Sequence, residues 1–384
     1  MSLASQLNEE FRSAFGGDPL VVRTPGRINL IGEHIDYNGG LVFPAAIDKA
    51  IYLAIGTSDS GTSTIVSLDL SESVNIDHSD LALKASGHWA NYFIGVLRQI
   101  EERGIRVPNF NLVFGGDIPI GAGLSSSAAL ENGFAFGLNE LFGLDLAKLE
   151  MVKISQAAEH AAVGVECGIM DQFANMFGVE NQAILLNCET LEYEPVSVNL
   201  GAYELLLINT NLKHQLSDSP YNERKRQCEK GLSVLRESFP EMRSLATADL
   251  QQLESVKDKL SQTEFNRCRY VIGEQQRVLS ARSALDSGDI FLFGSLLFQS
   301  HFGLRDLYEV SCPELDFLVE MAGHEPSVLG ARMMGGGFGG CTINLIHQDH
   351  MKSFIADVTG KFVSQFGQAP TPIQVSLCNG TARI

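Results

Sequence analysis

A loop of glycines and hydroxyls lies between a predicted strand and a predicted helix, in the stretch Gly115–Gly133. Alternating apolar residues at Phe110–Phe114 indicate the strand, and small and apolar residues at helical spacing continue to Leu141. The first amides of a helix have no internal partner and carry partial positive charge, so this turn is suited to bind phosphate. The alternative is a tight turn with a serine cap, but one hydroxyl suffices for a cap and Ser125–Ser127 supplies three.

The same loop does not match two common phosphate-binding motifs. No Gly-Lys-Ser/Thr follows the glycines, which excludes a Walker loop. Ser126 occupies the position where a dinucleotide fingerprint has its third glycine. The sequence therefore predicts a phosphate-binding turn of another kind.

A second dense stretch, Pro25–Gly40, holds one guanidinium, two carboxylates, one imidazole and one phenol. The glycines within it predict a bent backbone from which these side chains converge. A surface loop would hold the same charges without any function. Against that alternative, Ile28, Leu30 and Ile31 would bury part of the segment.

Asp171 is unusual because its neighbours Ile169, Met170 and Phe173 are apolar. An unpaired buried carboxylate is costly, so we expect Asp171 to have a partner. The alternative is that Asp171 caps a helix over Gln172–Phe177, and such a cap is compatible with a catalytic role.

Composition places the chain among globular proteins, since 45% of its 384 residues are hydrophobic and 19% are charged. The length predicts two domains, with a boundary near residue 200. A net charge of −18 opposes nucleic-acid and membrane partners, so an anionic substrate would need a local cationic pocket. No membrane span or signal peptide is visible, and the seven cysteines form no Cys-x-x-Cys pair. We expect a cytoplasmic monomer.

Periodicity predicts the elements that must position these groups. Trp89 opens a helix that ends at Arg103, and a helix over Leu146–Ala161 carries Glu159 near its end. Trp89 is the only tryptophan of the chain, and such a residue is more often part of the core than a platform for a ligand. The charges at 221–228 are consistent with a solvated helix face. Further predictions are helices at 6–15, 265–285, 289–303 and 351–366, strands at 20–24, 51–55, 64–68, 183–188, 193–198, 204–209, 341–347 and 373–377, a turn at 59–61 and a polar loop at 211–219.

Three glycine-bearing motifs in this order, Pro25–Gly40, Pro119–Ala129 and Gly335–Cys341, resemble those of the GHMP small-molecule kinases. Within that superfamily, Gly26–Tyr37 is similar to the galactokinase signature, with Ile35 where galactokinases often carry threonine. The resemblance covers nearly the whole chain, because it extends through residues 89–92, 158–160, 167–173, 221–229 and 308–316.

The resemblance implies a two-domain α+β fold of the GHMP kinase type. Its N-terminal domain, at residues 1–200, would be ribosomal-protein-S5-like, its C-terminal domain, at 201–384, ferredoxin-like, and the active site would lie between them. It implies ATP-dependent phosphorylation of α-D-galactose at the C1 hydroxyl, with Mg²⁺ as cofactor. The products would be ADP and galactose 1-phosphate, in the first committed step of the Leloir pathway.

The resemblance also implies roles for individual residues. Asp171 would be the base near the C1 hydroxyl, Arg27 its cationic neighbour, and Gly335–Gly340 would bring backbone against the cleft. The other implied roles are sugar contacts at Glu33, His34, Asp36, Gly168 and Tyr221; phosphate contacts at Gly121, Ala122, Gly123, Leu124, Ser125, Ser126 and Ser127; a nucleotide contact at Trp89; and Mg²⁺ ligands at Ser127 and Glu159.

Elementary chemistry is compatible with these roles, since phosphoryl transfer needs placement and charge control more than covalent chemistry. Two alternatives stay open. One is a kinase for N-acetylgalactosamine, galacturonate or arabinose, because the signature is widely shared. The other is a non-catalytic sensor of galactose and ATP, which is disfavoured because Ser125–Ala128 and Asp171 are both present.

Overall fold

The computed structural model describes residues 2–119, 121–212 and 220–384, and within these ranges the chain forms thirteen strands and eleven α-helices. The strands are β1 (Leu20–Asn29), β2 (Leu41–Val42), β3 (Pro44–Thr57), β4 (Ser63–Ser67), β5 (Glu72–Ile76), β6 (Phe110–Gly116), β7 (Gln182–Asn187), β8 (Tyr193–Ser197), β9 (Tyr203–Asn209), β10 (Val328–Met333), β11 (Cys341–His347), β12 (Thr371–Gln374) and β13 (Ala382–Arg383). The helices are α1 (Leu3–Phe15), α2 (Ala90–Glu101), α3 (Ser126–Phe142), α4 (Lys148–Ala158), α5 (Met170–Phe177), α6 (Pro220–Ser238), α7 (Leu250–Ser255), α8 (Gln262–Ser287), α9 (Ile290–Gly303), α10 (Pro313–Gly323) and α11 (Met351–Phe366).

Six strands form the first sheet, in the order β13-β1-β3-β6-β4-β5. β4 runs parallel to β6, and the other neighbouring strands are antiparallel. Helix α3 packs on β1 and β3, while α1 buries Leu7 and Phe11 against a separate apolar cluster that includes Val113. This arrangement places the loop between β6 and α3 beside the end of β1.

A second sheet, in the order β10-β11-β9-β12, and a small sheet, β2-β7-β8, complete the strand architecture of the described residues. β9 belongs to the second sheet, which is compatible with the predicted boundary near residue 200. The C-terminal end of the chain returns to the first sheet, because β13 pairs with β1 through Val22 and Arg383. One buried apolar cluster contains Leu30, Val278 and Met333, so the two halves meet through a continuous core. The domain boundary itself stays a prediction.

The most informative difference from the sequence analysis concerns β1. A strand was predicted at 20–24, before Pro25, but β1 continues past the proline. Pro25 and Arg27 flank a shift in the register of β1 on β3, and proline is tolerated at such an irregularity. Arg27 is therefore presented from a strand, and the backbone bends only after β1 ends, through Gly32 with φ 101°, His34 with φ 61° and a 3₁₀ turn at Asp36–Asn38.

Other predictions differ in pairing rather than in location. β3 contains the strand predicted at 51–55, and β4 overlaps the strand predicted at 64–68 but ends one residue earlier, and β6 lies between them in the sheet. Within the polar loop predicted at 211–219, residues 213–219 lie outside the described ranges. In the parts of the chain that the structure describes, no helix is long and apolar enough to cross a membrane.

Candidate active site

A cavity of about 520 Å³ lies where the three glycine-bearing motifs meet. The polar side chains and glycine-loop residues that line it are Arg27, Glu33, His34, Asp36, Ser86, Tyr92, Gly121–Ser127, Glu159, Cys167, Asp171, Tyr221, Gly335 and Gly336. Of the residues predicted to contact a ligand or a metal, Trp89 and Gly168 do not line this cavity, and of the predicted backbone segment Gly335–Gly340 only Gly335 and Gly336 do. The fold thus brings together groups that are more than 300 positions apart in sequence.

Asp171 and Arg27 form a two-point ion pair in the wall of the cavity. Arg27 Nε lies 2.7 Å from Asp171 Oδ1, and Nη2 lies 2.8 Å from Oδ2. The side chain of Asp171 is 25% exposed and that of Arg27 is 5% exposed, so a buried cation holds a carboxylate that faces the cavity. Burial lowers the pKa of Arg27, but Asp171, Glu33 and Asp36 together raise that pKa above its ordinary value. The partner expected for Asp171 is therefore confirmed.

Asp171 lies in the first turn of α5 and not at its N-cap, which is Ile169. The alternative that Asp171 caps a helix beginning at Gln172 is wrong, because α5 already begins at Met170. From this position Asp171 also accepts a hydrogen bond from Ser125, whose Oγ lies 2.5 Å from Oδ2. Both oxygens of the carboxylate are therefore held by side chains from other elements.

The glycine and serine loop joins β6 to α3. Gly121 and Gly123 have φ values of 75° and 72°, a conformation that residues with a side chain rarely adopt. Ser125 lies at the N-cap with φ 59°, and in the described part of the chain no side chain caps α3. The serine-cap alternative is wrong, because Ser125 directs its hydroxyl to Asp171 instead. The N-terminus of α3 thus lies at the cavity wall, where its amides suit a phosphate.

Ser127 and Glu159 provide two neighbouring oxygen ligands. Ser127 Oγ donates to Glu159 Oε1 at 2.9 Å, and Gln172 Nε2 donates to Oε2 at 2.9 Å. Burial raises the pKa of Glu159 to about 7, and the hydrogen bond from Ser127 opposes that rise. Across the described ranges, no group of three or more His, Cys, Asp or Glu side chains is placed to hold a metal. One hydroxyl and one carboxylate beside a phosphate-binding turn fit Mg²⁺, which takes its remaining ligands from phosphate and water.

Glu33 is bound by the C-terminal half of the chain. Its Oε1 accepts hydrogen bonds from Arg332 Nη1 at 3.2 Å and from Gly335 N at 2.9 Å. Arg332 is fully buried and also donates to the carbonyl groups of Asn29 and Leu30. The carboxylate predicted as a sugar contact is therefore also a link between the first and third glycine-bearing motifs.

Asp36 lies against the backbone of Gly168. A side chain at position 168 would collide with the Asp36 carboxylate, so this position requires glycine. Burial, followed by the charge of Asp171, raises the pKa of Asp36 to about 7. Gly168 leaves room for the Asp36 carboxylate at the cavity wall, although Gly168 itself does not line the cavity.

His34 is buried beside three tyrosine rings, those of Tyr37, Tyr221 and Tyr308. Its Nδ1 lies 2.7 Å from Tyr37 Oη, and its Nε2 has no hydrogen-bond partner among the described residues. Burial, with the charges of Arg224 and Arg332, lowers the pKa of His34 to about 3 against the opposing effect of the Gly336 backbone, so the ring is neutral. The Tyr221 ring lies 5.3 Å from the His34 ring, between centroids, and also lines the cavity.

Trp89 packs behind the cavity wall. Its Nε1 donates to Glu72 at 2.7 Å, and its ring lies 5.4 Å from that of Phe114 and 6.0 Å from that of Phe93. Tyr92, three positions further along the chain, lines the cavity. The nucleotide contact at Trp89 stays a prediction.

The sequence analysis missed two residues that hold site side chains, Arg332 and Gln172. Arg332 lies on β10, a strand that was not predicted, and its one signal in the sequence is its nearness to the third glycine cluster. Gln172 directly follows Asp171, but nothing in the sequence indicates its contact with Glu159. The prediction of a solvated face at 221–228 is wrong for Arg224, which is buried.

The N-terminus of α3, beside the Ser127–Glu159 oxygen pair in a cavity where the three glycine-bearing motifs meet, is compatible with a small-molecule kinase of the GHMP type. Residues 91–179 match the N-terminal domain of GHMP kinases, and residues 281–364 match their C-terminal domain. The crystal structure of Methanococcus jannaschii mevalonate kinase covers 94% of this chain and 99% of its own with a TM-score of 0.68 at 16% identity, which shows the fold alone. These matches confirm the predicted fold class.

Relatives with higher sequence identity show which family of GHMP kinases the chain belongs to. Residues 9–57 match the galactokinase galactose-binding signature. The chain is 40% identical to a galactokinase of Clostridium beijerinckii over 98% of both chains, and 41% identical to one of Thermosipho africanus over 94% of this chain and 99% of that relative. It is 35% identical to the crystal structure of Lactococcus lactis galactokinase complexed with galactose, with a TM-score of 0.95 and full coverage of both chains. This chain belongs to the galactokinase family.

Proposed function

We propose that this protein transfers the γ-phosphoryl group of ATP to the C1 hydroxyl of α-D-galactose, which gives galactose 1-phosphate and ADP. The observation that carries the proposal is a shared cavity, lined by the Asp171–Arg27 ion pair, the N-terminus of α3 and the polar groups of the first motif. Its volume of about 520 Å³ is in the usual range for small-molecule sites. Identity to galactokinases over nearly the full length supports galactose as the substrate.

Asp171 acts as the base in this proposal. Its carboxylate accepts the C1 hydroxyl proton as that oxygen bonds to the γ-phosphorus, and the bond between the γ-phosphorus and the β–γ bridging oxygen breaks to release ADP. Arg27 and Ser125 hold the carboxylate through three hydrogen bonds, which supplies the fixed geometry that phosphoryl transfer requires. Arg27 also neutralises negative charge that develops beside Asp171.

The turn at Gly121–Ser127 binds the phosphates. Its glycines and the first amides of α3 contact phosphate oxygens and direct the γ-phosphoryl group toward Asp171. Ser127 Oγ and the Glu159 carboxylate would hold Mg²⁺, which when bound neutralises charge on the β- and γ-phosphates. Gln172 keeps the Glu159 carboxylate directed at Ser127.

The first motif recognises the sugar. Glu33, His34 and Asp36 present carboxylate oxygens and a neutral imidazole to the ring hydroxyls, and Tyr221 closes that side of the cavity. A sugar that lacks a matching hydroxyl would leave these buried groups unpaired, which is strongly unfavourable. Glucose, the C4 epimer, should therefore be a poor substrate.

Release of ADP from ATP and Mg²⁺, measured with a panel of sugars, tests the proposal. The panel contains galactose, glucose, N-acetylgalactosamine, galacturonate and arabinose, and each reaction has a control without sugar. We expect the highest kcat/KM with galactose. A higher value with another sugar would overturn the substrate assignment, and no sugar-dependent ADP release would indicate a sensor instead of an enzyme.

The proposal includes a cytoplasmic location and a monomeric state. All seven cysteines are free thiols, which is compatible with a reducing compartment.

The monomeric state is tested by size-exclusion chromatography with light scattering. We expect the mass of one chain, 41.8 kDa, and twice that mass would contradict a monomer.

A further inference from the structure

A chain of hydroxyl groups connects His34 to the C-terminal half of the protein. His34 Nδ1 lies 2.7 Å from Tyr37 Oη, which lies 2.9 Å from Tyr308 Oη. Tyr308 Oη lies in turn 3.2 Å from Cys228 Sγ. Tyr308 and Cys228 are buried, and neither they nor Tyr37 line the cavity. The chain therefore reaches the cavity through the imidazole of His34.

The protons of this chain have two consistent arrangements. Each hydroxyl has one proton, so if Nδ1 donates to Tyr37, then Tyr37 donates to Tyr308 and Tyr308 donates to the sulfur of Cys228. In the opposite arrangement every donor becomes an acceptor. The direction of the chain therefore sets the protonation state of His34 Nδ1, and Nε2 of the neutral ring has the complementary state. Nε2 is the ring nitrogen that has no partner among the described residues.

Tyr308 is fixed by two buried arginines from different helices. Arg224 of α6 donates from Nε to the Tyr308 carbonyl at 2.8 Å and from Nη2 to the Glu309 carbonyl at 2.8 Å. Arg267 of α8 donates to the Leu307 carbonyl and lies 2.6 Å from the Glu309 carboxylate. The hydroxyl of Tyr308 therefore has a rigid support that is independent of the first motif.

We propose that Tyr308 is a positioning residue for sugar binding, which holds the His34 ring through Tyr37 in one orientation, and that one of the two proton arrangements is populated, so that the ring has one tautomer. His34 Nε2 is then fixed as either the donor or the acceptor of a hydrogen bond with a sugar hydroxyl. Sugar binding therefore costs no free energy for selecting one orientation and one tautomer of the ring. The inference rests on the proposed function, since it takes a sugar as the ligand of this cavity. The proposal also gives a role to residues 308–316. This segment resembles the corresponding segment of galactokinases but does not line the cavity.

Nitrogen-15 NMR of the histidine rings in the ligand-free protein tests the first part of the proposal. The signals of His34 are assigned by their loss in His34→Asn. We expect one protonated and one unprotonated ring nitrogen in the wild type, and signals shifted toward the average of two tautomers in Tyr308→Phe. The control is Ser63→Ala, which also removes a buried hydroxyl beside a histidine, one that lies 2.7 Å from His78 Nε2, and it should leave the His34 signals unchanged. Unchanged His34 signals in Tyr308→Phe would overturn the proposal.

Steady-state kinetics test the second part. Loss of one hydrogen bond in a buried network should raise the KM for galactose in Tyr308→Phe by about 10-fold, with kcat and the KM for ATP unchanged. A fall in kcat with an unchanged KM for galactose would overturn the positioning role. The NMR measurement uses neither sugar nor ATP, so a failure of the galactose assignment would appear in the wild-type sugar panel and not in the His34 signals.

Discussion

The two ends of the cavity differ in which half of the chain supports them. At the end proposed for catalysis, called the catalytic end below, Arg27 and Ser125 each donate hydrogen bonds to Asp171, and all three residues precede residue 200. At the sugar end, Glu33 precedes residue 200 but is held by Arg332, which lies far beyond it. In the proposed function, charge control is therefore built within one half, whereas sugar recognition depends on how the two halves are joined.

The two ends also differ in charge. The catalytic end holds a buried guanidinium against a partly exposed carboxylate. At the sugar end His34 is neutral, and the pKa of Asp36 is raised to about 7. Phosphoryl transfer needs fixed charge, whereas hydroxyl groups need donors and acceptors that can be paired. The charges at each end therefore suit the group that the proposed function places there, a phosphoryl group at the catalytic end and sugar hydroxyls at the sugar end.

The largest effect is expected at the catalytic end. Asp171→Asn keeps the size of the side chain but removes the base, so turnover should fall by about 10²–10⁴-fold. ATP affinity, measured by calorimetry, should stay unchanged because the phosphate-binding turn is not altered. Near-normal turnover would remove Asp171 from the role of base.

Arg332→Met tests how far the sugar end depends on the C-terminal half. The substitution leaves the Glu33 carboxylate buried without its cation, which should lower the free energy of unfolding by about 3–5 kcal/mol. Urea denaturation measures the loss. The double variant Arg332→Met with Glu33→Gln should recover part of it, because the unpaired charge is gone. A single variant as stable as the wild type would show that this ion pair does not join the halves.

Gln172→Leu tests the support of the predicted metal ligand at the catalytic end. Loss of an outer partner of a ligating carboxylate should weaken Mg²⁺ affinity by about 10–100-fold. The Mg²⁺ dependence of ADP release measures this effect. Gln156→Leu is the matched control, because Gln156 donates to the Cys167 carbonyl and not to Glu159. Equal shifts in the two variants would refute the role given to Gln172.

The smallest effect is a dependence of stability on pH at the sugar end. Burial and the charge of Asp171 raise the pKa of Asp36 from 3.8 to about 7, so between these values the folded state keeps a proton that the unfolded state has lost. Stability from this group is therefore complete below about pH 4 and is lost as the pH rises through 7. Urea denaturation at pH 5 and pH 8 should show a smaller loss for Asp36→Asn than for the wild type.

The control for this measurement is Asp59→Asn, a substitution at an exposed aspartate, which should keep the wild-type pH dependence. An Asp36→Asn variant with the same dependence as the wild type would show that Asp36 is not the titrating group.

Local patterns were sufficient for the parts of the site that lie on continuous stretches of sequence. The β6–α3 junction, β11 and α11 lie where the periodicity predicted them, and the pairing of Asp171 with a partner followed from the cost of burying a lone carboxylate. The position of β6 between β3 and β4 did not follow, because strand order depends on pairing between distant segments that a local period does not record.

The supports of the site were harder to predict than the site itself. Arg332 and Tyr308 act on the first motif from about 300 and 270 positions away, and neither lies in a pattern that indicates a charge or hydroxyl partner. An arginine side chain or a tyrosine hydroxyl is not expected in a buried core on the basis of its residue type alone. The fold alone supplies the partners that make such burial favourable.

Phosphorus NMR of the product formed from ATP, Mg²⁺ and galactose tests most directly the claim that a hexose C1 hydroxyl and the γ-phosphoryl group meet beside Asp171. We expect one new phosphomonoester signal, coupled to the anomeric proton of the sugar, and an equal amount of ADP. A phosphate on any other carbon, or no new signal beyond those of ATP hydrolysis, would contradict it.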